Sequence, residues 1–181
     1  GVDVYAASAY KFLLGPYGTA VGLFAPSVLD RLAVGDINWW AVRGSEDFNH
    51  LPEAVELHPG ARRYDAHETA SFFNLMPLAE SLRLLLEISP AAVQAHSRAL
   101  GDRILGGLPA GFEPAGPVDA TGRSHVVTVR AGSPEATRDA WKRLDAAKVV
   151  TSLRGDRIRI SPHVYNGPAD VDRLLAALAG K

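Results

Sequence analysis

The hydrophobic pattern of the chain changes near its midpoint, and the two parts predict different kinds of structure. In the first part, short apolar and β-prone runs at residues 2–6 and 19–24 predict two strands, the second of them buried and stopped by Pro26. Residues 27–32 predict a short helix. Residues 33–63 show no clean period, which indicates a long loop of the kind that is functional or contacts a partner.

A long amphipathic helix is predicted at residues 69–88. Pro77 falls inside this segment, so we expect it either to mark the true start of the helix or to kink it. The apolar residues recur at helical spacing and predict one stripe that faces the core. Its members are Phe72, Leu75, Met76, Ala79, Leu82 and Leu86.

The second part of the chain alternates closely between helical and strand patterns. Ser89 and Pro90 are the capping residue and first residue of a predicted helix that ends near residue 107, and a Pro- and Gly-rich linker follows. Further elements are predicted as strands at 125–130, 148–153 and 157–161 and helices at 133–147 and from 168 onward. This β-α-β-β-α order predicts a two-layer α/β unit, with helices covering one face of a sheet.

Composition narrows the class of protein. The 181 residues carry 19 basic and 20 acidic side chains, so the basic excess of a dedicated nucleic-acid binder is absent and no nucleic-acid partner is expected. No apolar run is long enough to cross a bilayer, so no membrane span is expected and a cytoplasmic location is the default. The sequence has no cysteine, which excludes disulfides and thiolate chemistry within it. Its histidines lack metal-ligand spacing, so no metal site is expected.

Lys11 is the first candidate for chemistry. It follows an apolar run and precedes another, at residues 12–14. Apolar surroundings disfavour the ammonium form of a lysine, and a neutral amine is what a Schiff base requires. The alternative is a structural lysine whose stem is buried and whose amine extends to solvent.

Lys11 lies in a longer motif, SAYKFLLGPYGT at residues 8–19, and two other segments follow it in order. They are RYDAHET at residues 63–69 and RIRISPHVYN at residues 157–166, which contains the pattern R-x-S-x-x-x-Y-N. Together the three segments resemble the cofactor-lysine segment, the Arg–acid–Gly–Thr stretch and the C-terminal signature of the class V aminotransferase family. This family comprises pyridoxal 5'-phosphate (PLP) enzymes of fold type I, including cysteine desulfurases, kynureninases and isopenicillin-N-epimerase-like proteins.

The resemblance implies a role for each matching residue. Lys11 would be the catalytic residue that forms the Schiff base with PLP and later moves the α-proton of an amino-acid substrate. Ser8 and Tyr10 would bind the cofactor phosphate, and their hydroxyls are chemically able to do so. Thr69 would reach the phosphate of a neighbouring subunit, which implies a homodimer with its site at the subunit interface. Arg159 would bind the substrate carboxylate.

The pattern of residues 157–161 bears on Arg159 independently. Side chains alternate along a strand, so Ile158 and Ile160 face the core while Arg157 and Arg159 share the opposite face. An arginine fork matches a carboxylate with two parallel donors. The alternative is a solvated face with an ordinary salt bridge. With the motif, we interpret Arg159 as the carboxylate ligand and Arg157 as structural.

The resemblance also implies a fold and an organisation. The predicted class is α/β, with residues 1–88 as the remainder of a PLP fold type I large domain. Residues 89–181 are predicted to form the small α/β C-terminal domain with its connecting helix. The family's phosphate loop, stacking ring and pyridine-nitrogen aspartate precede the lysine and cannot be located here. We therefore expect the chain to be part of a longer protein or to pair with a second chain.

Several activities are compatible with these residues. The family's desulfurases use a cysteine that this sequence lacks, so desulfuration by that mechanism is disfavoured. Transamination is the preferred prediction, and C–S lysis or epimerisation by an enzyme of the same family is the alternative. From a different class, the chain could be a non-catalytic, truncated relative that serves as a binding or dimerisation module.

Overall fold

The computed structural model describes residues 1–50, 52–67, 71–119 and 121–181. The chain divides into two compact units, Gly1–Leu85 and Leu86–Lys181. The identification of residues 1–88 and 89–181 as a large-domain remainder and a small domain stays a prediction.

The first unit is built on an antiparallel hairpin. Strands β1 (Val4–Ser8) and β2 (Ala20–Phe24) pair with Val4 opposite Phe24 and Ser8 opposite Ala20. The remaining elements follow in the order helix α1 (Pro26–Leu29), 3₁₀ turns Trp39–Ala41 and Gly60–Tyr64, and helix α2 (Phe72–Ile88), whose last residues enter the second unit. Pro26 begins α1 because the first position of a helix needs no N–H donor.

Two predictions about burial in this unit are wrong. The strand at residues 19–24 is not buried, and Leu23 is 63% exposed. Among the described residues its sheet consists of β1 and β2, and two strands leave much of a sheet open to solvent. On α2, the buried residues are Leu78 and Leu85. The predicted stripe lies largely in solvent, and its exposed members are Phe72, Leu75, Met76 and Leu86. The helical period grouped the apolar residues on one face, but it could not show which of them are buried against other parts of the chain.

The second unit is a four-stranded antiparallel sheet with the strand order β3-β4-β6-β5. Its elements are α3 (Pro90–Gly106), β3 (Phe112–Pro114), β4 (Val127–Ala131), α4 (Pro134–Ala146), β5 (Ser152–Arg154), β6 (Arg157–Ile160) and α5 (Pro168–Leu178). The predicted β-α-β-β-α order is confirmed. The linker ahead of it also contains β3, which three residues without clear periodicity did not reveal.

The core of this unit lies between the helices and one face of the sheet. Ile158 and Ile160 on β6 are buried while Arg157 and Arg159 are exposed, so the predicted alternation is confirmed. The residues that pack with these isoleucines are Leu100, Ile104, Val127, Val129, Ala140, Leu144, Val171, Leu174, Ala177 and Leu178. Burying one such aliphatic side chain contributes about 1.5–3 kcal/mol to the free energy of folding, so this cluster is the main source of the second unit's stability.

Turns and caps set the ends of these elements. Ser89 and Ser133 accept backbone N–H groups at the starts of α3 and α4. The cap at Ser89 was predicted from the sequence. Gly155, at φ 61°, takes the first position of the two-residue turn between β5 and β6. The strand predicted to begin at residue 148 instead begins at Ser152, because Lys148 adopts a left-handed φ of 58° just after α4.

No helix within the described residues is long and apolar enough to span a membrane.

Candidate functional site

Lys11 lies in a closed loop between β1 and β2. The Ala9 amide donates to the carbonyl of Thr19 at 2.9 Å, and the Gly15 amide donates back to the carbonyl of Ala9 at 2.9 Å. Inside this ring, the Leu14 amide donates to the Lys11 carbonyl at 3.0 Å, with Leu14 at a left-handed φ of 57°. A non-glycine residue adopts that φ only where the surroundings enforce it. The loop is therefore a defined turn.

Helix α2 contacts the lysine loop and holds it in place. Ser81 donates its hydroxyl to the carbonyl of Leu14 at 2.9 Å, and Asn74 donates its amide to the carbonyl of Tyr17 at 3.1 Å. Gly15 packs so closely on Leu78 that a Cβ there would lie 2.8 Å from the leucine Cδ1. Two side-chain hydrogen bonds and one tight contact thus fix the conformation of the lysine loop.

The surroundings of Lys11 differ from the expectation. Its side chain is exposed within the chain rather than enclosed by apolar groups. The Nζ atom lies 5.0 Å from the centroid of the Tyr10 ring, a cation–π contact, and Tyr10 stacks on Tyr17 at 4.4 Å. Residues 12–14 are apolar and half-buried. Among the described residues, no carboxylate forms a salt bridge with Lys11, so its amine is available to a ligand.

The two other residues predicted to bind the cofactor phosphate lie on the same segment. Ser8 is the last residue of β1, and Tyr10 is half-buried on the loop. Neither hydroxyl makes a hydrogen bond within the part of the chain that the structure describes. Ser8, Tyr10 and Lys11 therefore present two hydroxyls and one amine within four positions. Thr69, the third predicted phosphate ligand, lies outside the described residues.

The segment that begins at Arg63 serves the first unit structurally. The Arg63 Nη2 donates to the carbonyl of Leu29 at 2.6 Å and to the carboxylate of Asp30 at 2.9 Å. The Tyr64 hydroxyl donates to the same Leu29 carbonyl at 2.6 Å. Carbonyls at the end of a helix lack partners within the helix, so these side chains satisfy the end of α1. Asp30 raises the pKa of Arg63 further above its ordinary value through this hydrogen bond.

Arg159 lies in the second unit, on the sheet face opposite the core. It stands directly between Thr128 on β4 and Ser152 on β5. Its guanidinium is exposed and has no hydrogen bond or salt bridge to any described residue. Arg157, by contrast, donates to the carbonyl of Ala115 at 3.3 Å and pairs with Asp156 at 3.4 Å. These contacts support the distinction drawn from the sequence between a structural Arg157 and an available Arg159.

Asn166 has a role that sequence reasoning missed. Its side-chain oxygen accepts the amide of His163 at 3.0 Å, and its own amide returns a bond to the His163 carbonyl at 3.0 Å. The Nε2 of His96 lies 2.9 Å from the Asn166 carbonyl. Asn166 thus closes the turn that leads from β6 into α5. The signal was present in the sequence as an asparagine just ahead of Gly-Pro, which favours a turn.

Two pKa shifts occur beside this turn. Burial lowers the pKa of His125, and the nearby His163 lowers it further. The pKa of Asp170 is lowered by hydrogen bonds from the Gly167 amide and the Asn166 side chain, and by the charge of Arg173. Both groups stabilise the second unit in one protonation state only.

No group of three or more metal-ligating side chains occurs within residues 1–50, 52–67, 71–119 and 121–181.

Comparison with known proteins identifies similar sequences and folds. Isopenicillin N epimerase of Streptomyces clavuligerus is 29% identical over an alignment of 186 residues. The alignment covers 97% of this chain and 46% of that protein. No family model matches the chain. The chain spans about half the length of the curated relative it matches.

Solved structures agree with this similarity at the level of fold. The apo cysteine desulfurase of Thermococcus onnurineus NA1 superimposes with a TM-score of 0.81 at 20% identity, over 98% of this chain and 46% of the other. The cystine C–S lyase C-DES, in complex with its product cysteine persulfide, gives 0.79 at 22% identity, over 98% and 46%. The predicted resemblance to the class V family is confirmed, and the chain has the fold of the C-terminal part of PLP fold type I enzymes.

Proposed function

We propose that this chain is part of a PLP-dependent enzyme that acts on an amino acid, with Lys11 as the covalent attachment point of the cofactor and Arg159 as the ligand of the substrate carboxylate. The observation that carries the proposal is the loop that presents Lys11. It is fixed by backbone hydrogen bonds and by α2, yet its amine and the hydroxyls of Ser8 and Tyr10 have no polar partner among the described residues.

The donor groups of this loop fit the cofactor chemically. A primary amine condenses with an aldehyde, and hydroxyls are good donors to phosphate oxygens. When bound, PLP supplies an electron sink that stabilises negative charge at the substrate α-carbon. We propose Ser8 and Tyr10 as phosphate ligands, and Thr69 as a third from a neighbouring subunit.

The proposed work of the protein residues is binding and proton transfer. Arg159 offers two parallel N–H donors to a carboxylate. It forms no ion pair with any residue that the structure describes, so binding there breaks none of the described salt bridges. The Lys11 Nζ would take the proton from the substrate α-carbon and return it to the atom that the reaction requires. The rigid turn below Lys11 restricts the positions that this amine can reach, which favours one direction of transfer.

For the reaction that follows proton removal, we propose transamination. The similarity to an epimerase at 29% identity supports epimerisation as the second candidate, and the C-DES fold match keeps C–S lysis as a third. Inversion of configuration at the α-carbon, with exchange of its proton and without formation of a keto acid, would indicate epimerisation. A keto acid with an aminated cofactor would indicate transamination, and a keto acid with released sulfide would indicate lysis.

The proposal is tested by trapping the cofactor on the lysine. The protein is incubated with PLP, reduced with borohydride and analysed by intact mass and peptide mapping. We expect one adduct, on Lys11, that is lost in Lys11→Arg and retained in Lys142→Arg, a matched change on an exposed helix. Adducts spread over several lysines, or none in the full protein, would overturn the enzyme assignment and favour the non-catalytic binding module.

We also propose that the protein is a cytoplasmic homodimer. The apolar residues that α2 exposes support an oligomer, since large apolar patches mark interaction surfaces. Light scattering coupled to size-exclusion chromatography measures the oligomeric state directly. A monomeric mass over a wide concentration range would contradict the proposed dimer.

A further inference from the structure

The exposed face of the sheet in the second unit is rich in arginine. The register places Arg130 of β4, Arg154 of β5 and both Arg157 and Arg159 of β6 on the side opposite the buried isoleucines. Four guanidinium groups on one small sheet are costly unless their charge is balanced, because like charges across strands repel.

Half of this charge is balanced within the sheet. Arg130 pairs with Glu113 at 2.7 Å, and Arg157 pairs with Asp156 at 3.4 Å. Arg154 and Arg159 have no carboxylate partner among the described residues, and both are exposed. The face therefore presents two uncompensated positive charges, on adjacent strands.

The geometry of the hairpin fixes the relation between these two arginines. Arg159 stands opposite Ser152, and Arg154 lies two residues further along β5, so the two are diagonal neighbours on one face. Diagonal neighbours in an antiparallel pair are about 7–8 Å apart. The tight turn at Gly155, where φ is 61°, fixes the register of β5 against β6. Arg154 also lies directly opposite Arg157, a like-charge pair that an anion at Arg154 would stabilise.

We infer that the substrate is a dicarboxylic amino acid, whose α-carboxylate binds Arg159 and whose side-chain carboxylate binds Arg154. This inference rests on the proposed function for the identity of the Arg159 ligand. Two guanidinium groups on one hairpin match two carboxylates joined by a short carbon chain. Each carboxylate can accept a bidentate pair of hydrogen bonds from one guanidinium group. Thr128 and Ser152 lie directly opposite Arg159 on the two adjacent strands, on the same face of the sheet.

The first test measures binding without any reaction. Glutarate, a dicarboxylate without an amino group, and butyrate, its monocarboxylate counterpart, are titrated into the protein by calorimetry at physiological ionic strength. We expect glutarate to bind more tightly than butyrate, and Arg154→Ala to weaken glutarate about tenfold or more while leaving butyrate unchanged. Arg138→Ala removes an equally exposed charge from α4 and should leave both affinities unchanged. Equal weakening by both substitutions would show a general charge effect and overturn the inference.

The second test uses turnover by the PLP-loaded protein. Glutamate and glutamine have nearly the same shape, but glutamate ends in a carboxylate and glutamine in a neutral amide, so their ratio of kcat/KM reports the second carboxylate site. We expect a preference for glutamate that Arg154→Ala reduces at least tenfold and that Arg154→Lys partly restores. Turnover of glutamine as fast as glutamate would overturn the inference and leave the proposed function intact. Glutarate binding that depends on Arg154, without any PLP adduct on Lys11, would contradict the proposed function and keep the dicarboxylate site.

Discussion

The hydroxyl of Ser81 donates a hydrogen bond of 2.9 Å to the carbonyl of Leu14, which lies 67 positions earlier in the chain. Leu14 has a left-handed backbone and closes the turn that begins at Lys11. Through this bond, helix α2 determines the shape of the lysine loop although it contributes no residue to the proposed chemistry. Ser81 and Leu14 are far apart in the sequence, so local sequence patterns could not predict this hydrogen bond.

Removing the Ser81 hydroxyl should loosen the lysine loop. Ser81→Ala leaves the Leu14 carbonyl without its side-chain donor, at a cost of about 1 kcal/mol. We expect faster hydrogen exchange at the amides of Ala9 and Gly15 and unchanged exchange in the second unit. Ser81→Thr keeps the hydroxyl and should restore slow exchange. An unchanged exchange rate in Ser81→Ala would show that the loop is held by its own backbone bonds.

The close contact of Gly15 predicts a second effect on the same loop. A Cβ at this position would lie 2.8 Å from Leu78 and 3.1 Å from the Ala9 carbonyl, so Gly15→Ala must displace one of them. We expect a loss of about 1–3 kcal/mol in the stability of the first unit, measured by denaturant titration. Gly35→Ala is the matched control, because nothing lies within 4 Å of the added methyl. Equal effects of the two substitutions would exclude a steric cause.

The two neighbouring arginines of β6 should separate stability from binding. Arg159 has no partner among the described residues, so Arg159→Ala should leave Tm unchanged while weakening carboxylate binding about 10- to 100-fold. Arg157→Ala removes the bonds to Ala115 and Asp156 and should lower Tm slightly with little effect on binding. If Arg157→Ala weakened carboxylate binding and Arg159→Ala lowered Tm instead, the roles proposed for the two arginines would have to be exchanged.

The lowered pKa of His125 predicts a pH dependence of the second unit. The unfolded chain has a histidine pKa of about 6.5, and the folded pKa lies below it, so the unfolded state binds more protons between these values. The stabilisation from neutral His125 is therefore complete above the unfolded pKa and declines as the pH falls from there toward the folded pKa. Thermal unfolding followed between about pH 8 and pH 5 should show this decline, and His125→Gln should flatten it.

Asp170 should stabilise the second unit through the start of α5. Its carboxylate accepts the Gly167 amide at 3.0 Å, and its pKa is lowered mainly by this bond. The stabilisation is present above the unfolded pKa and is lost as the pH falls through the folded pKa. Asp170→Ala should lower Tm at neutral pH, and the difference from the parent protein should shrink in acid. Asp139→Ala, which removes an exposed carboxylate from α4, should change Tm much less.

Much of the second unit was determined by the sequence itself. Alternation in β6 predicted which of Ile158 and Arg159 faces the core, and the capping residue Ser89 predicted where α3 begins. These are local rules, in which side-chain period, capping hydroxyls and backbone sterics act over a few residues. The motif around Lys11 likewise predicts its chemistry, which stays a prediction until the cofactor is trapped on the lysine.

The tertiary structure decided what local rules cannot reach. Sequence periodicity placed Met76 in a core stripe, but whether a helical face is covered depends on what packs against it. The support of Leu14 by Ser81 joins residues far apart in the chain, and the diagonal placement of Arg154 and Arg159 follows from strand register. Burial, long-range hydrogen bonds and register arise only when distant segments meet, because each is a property of a pair and not of a single position.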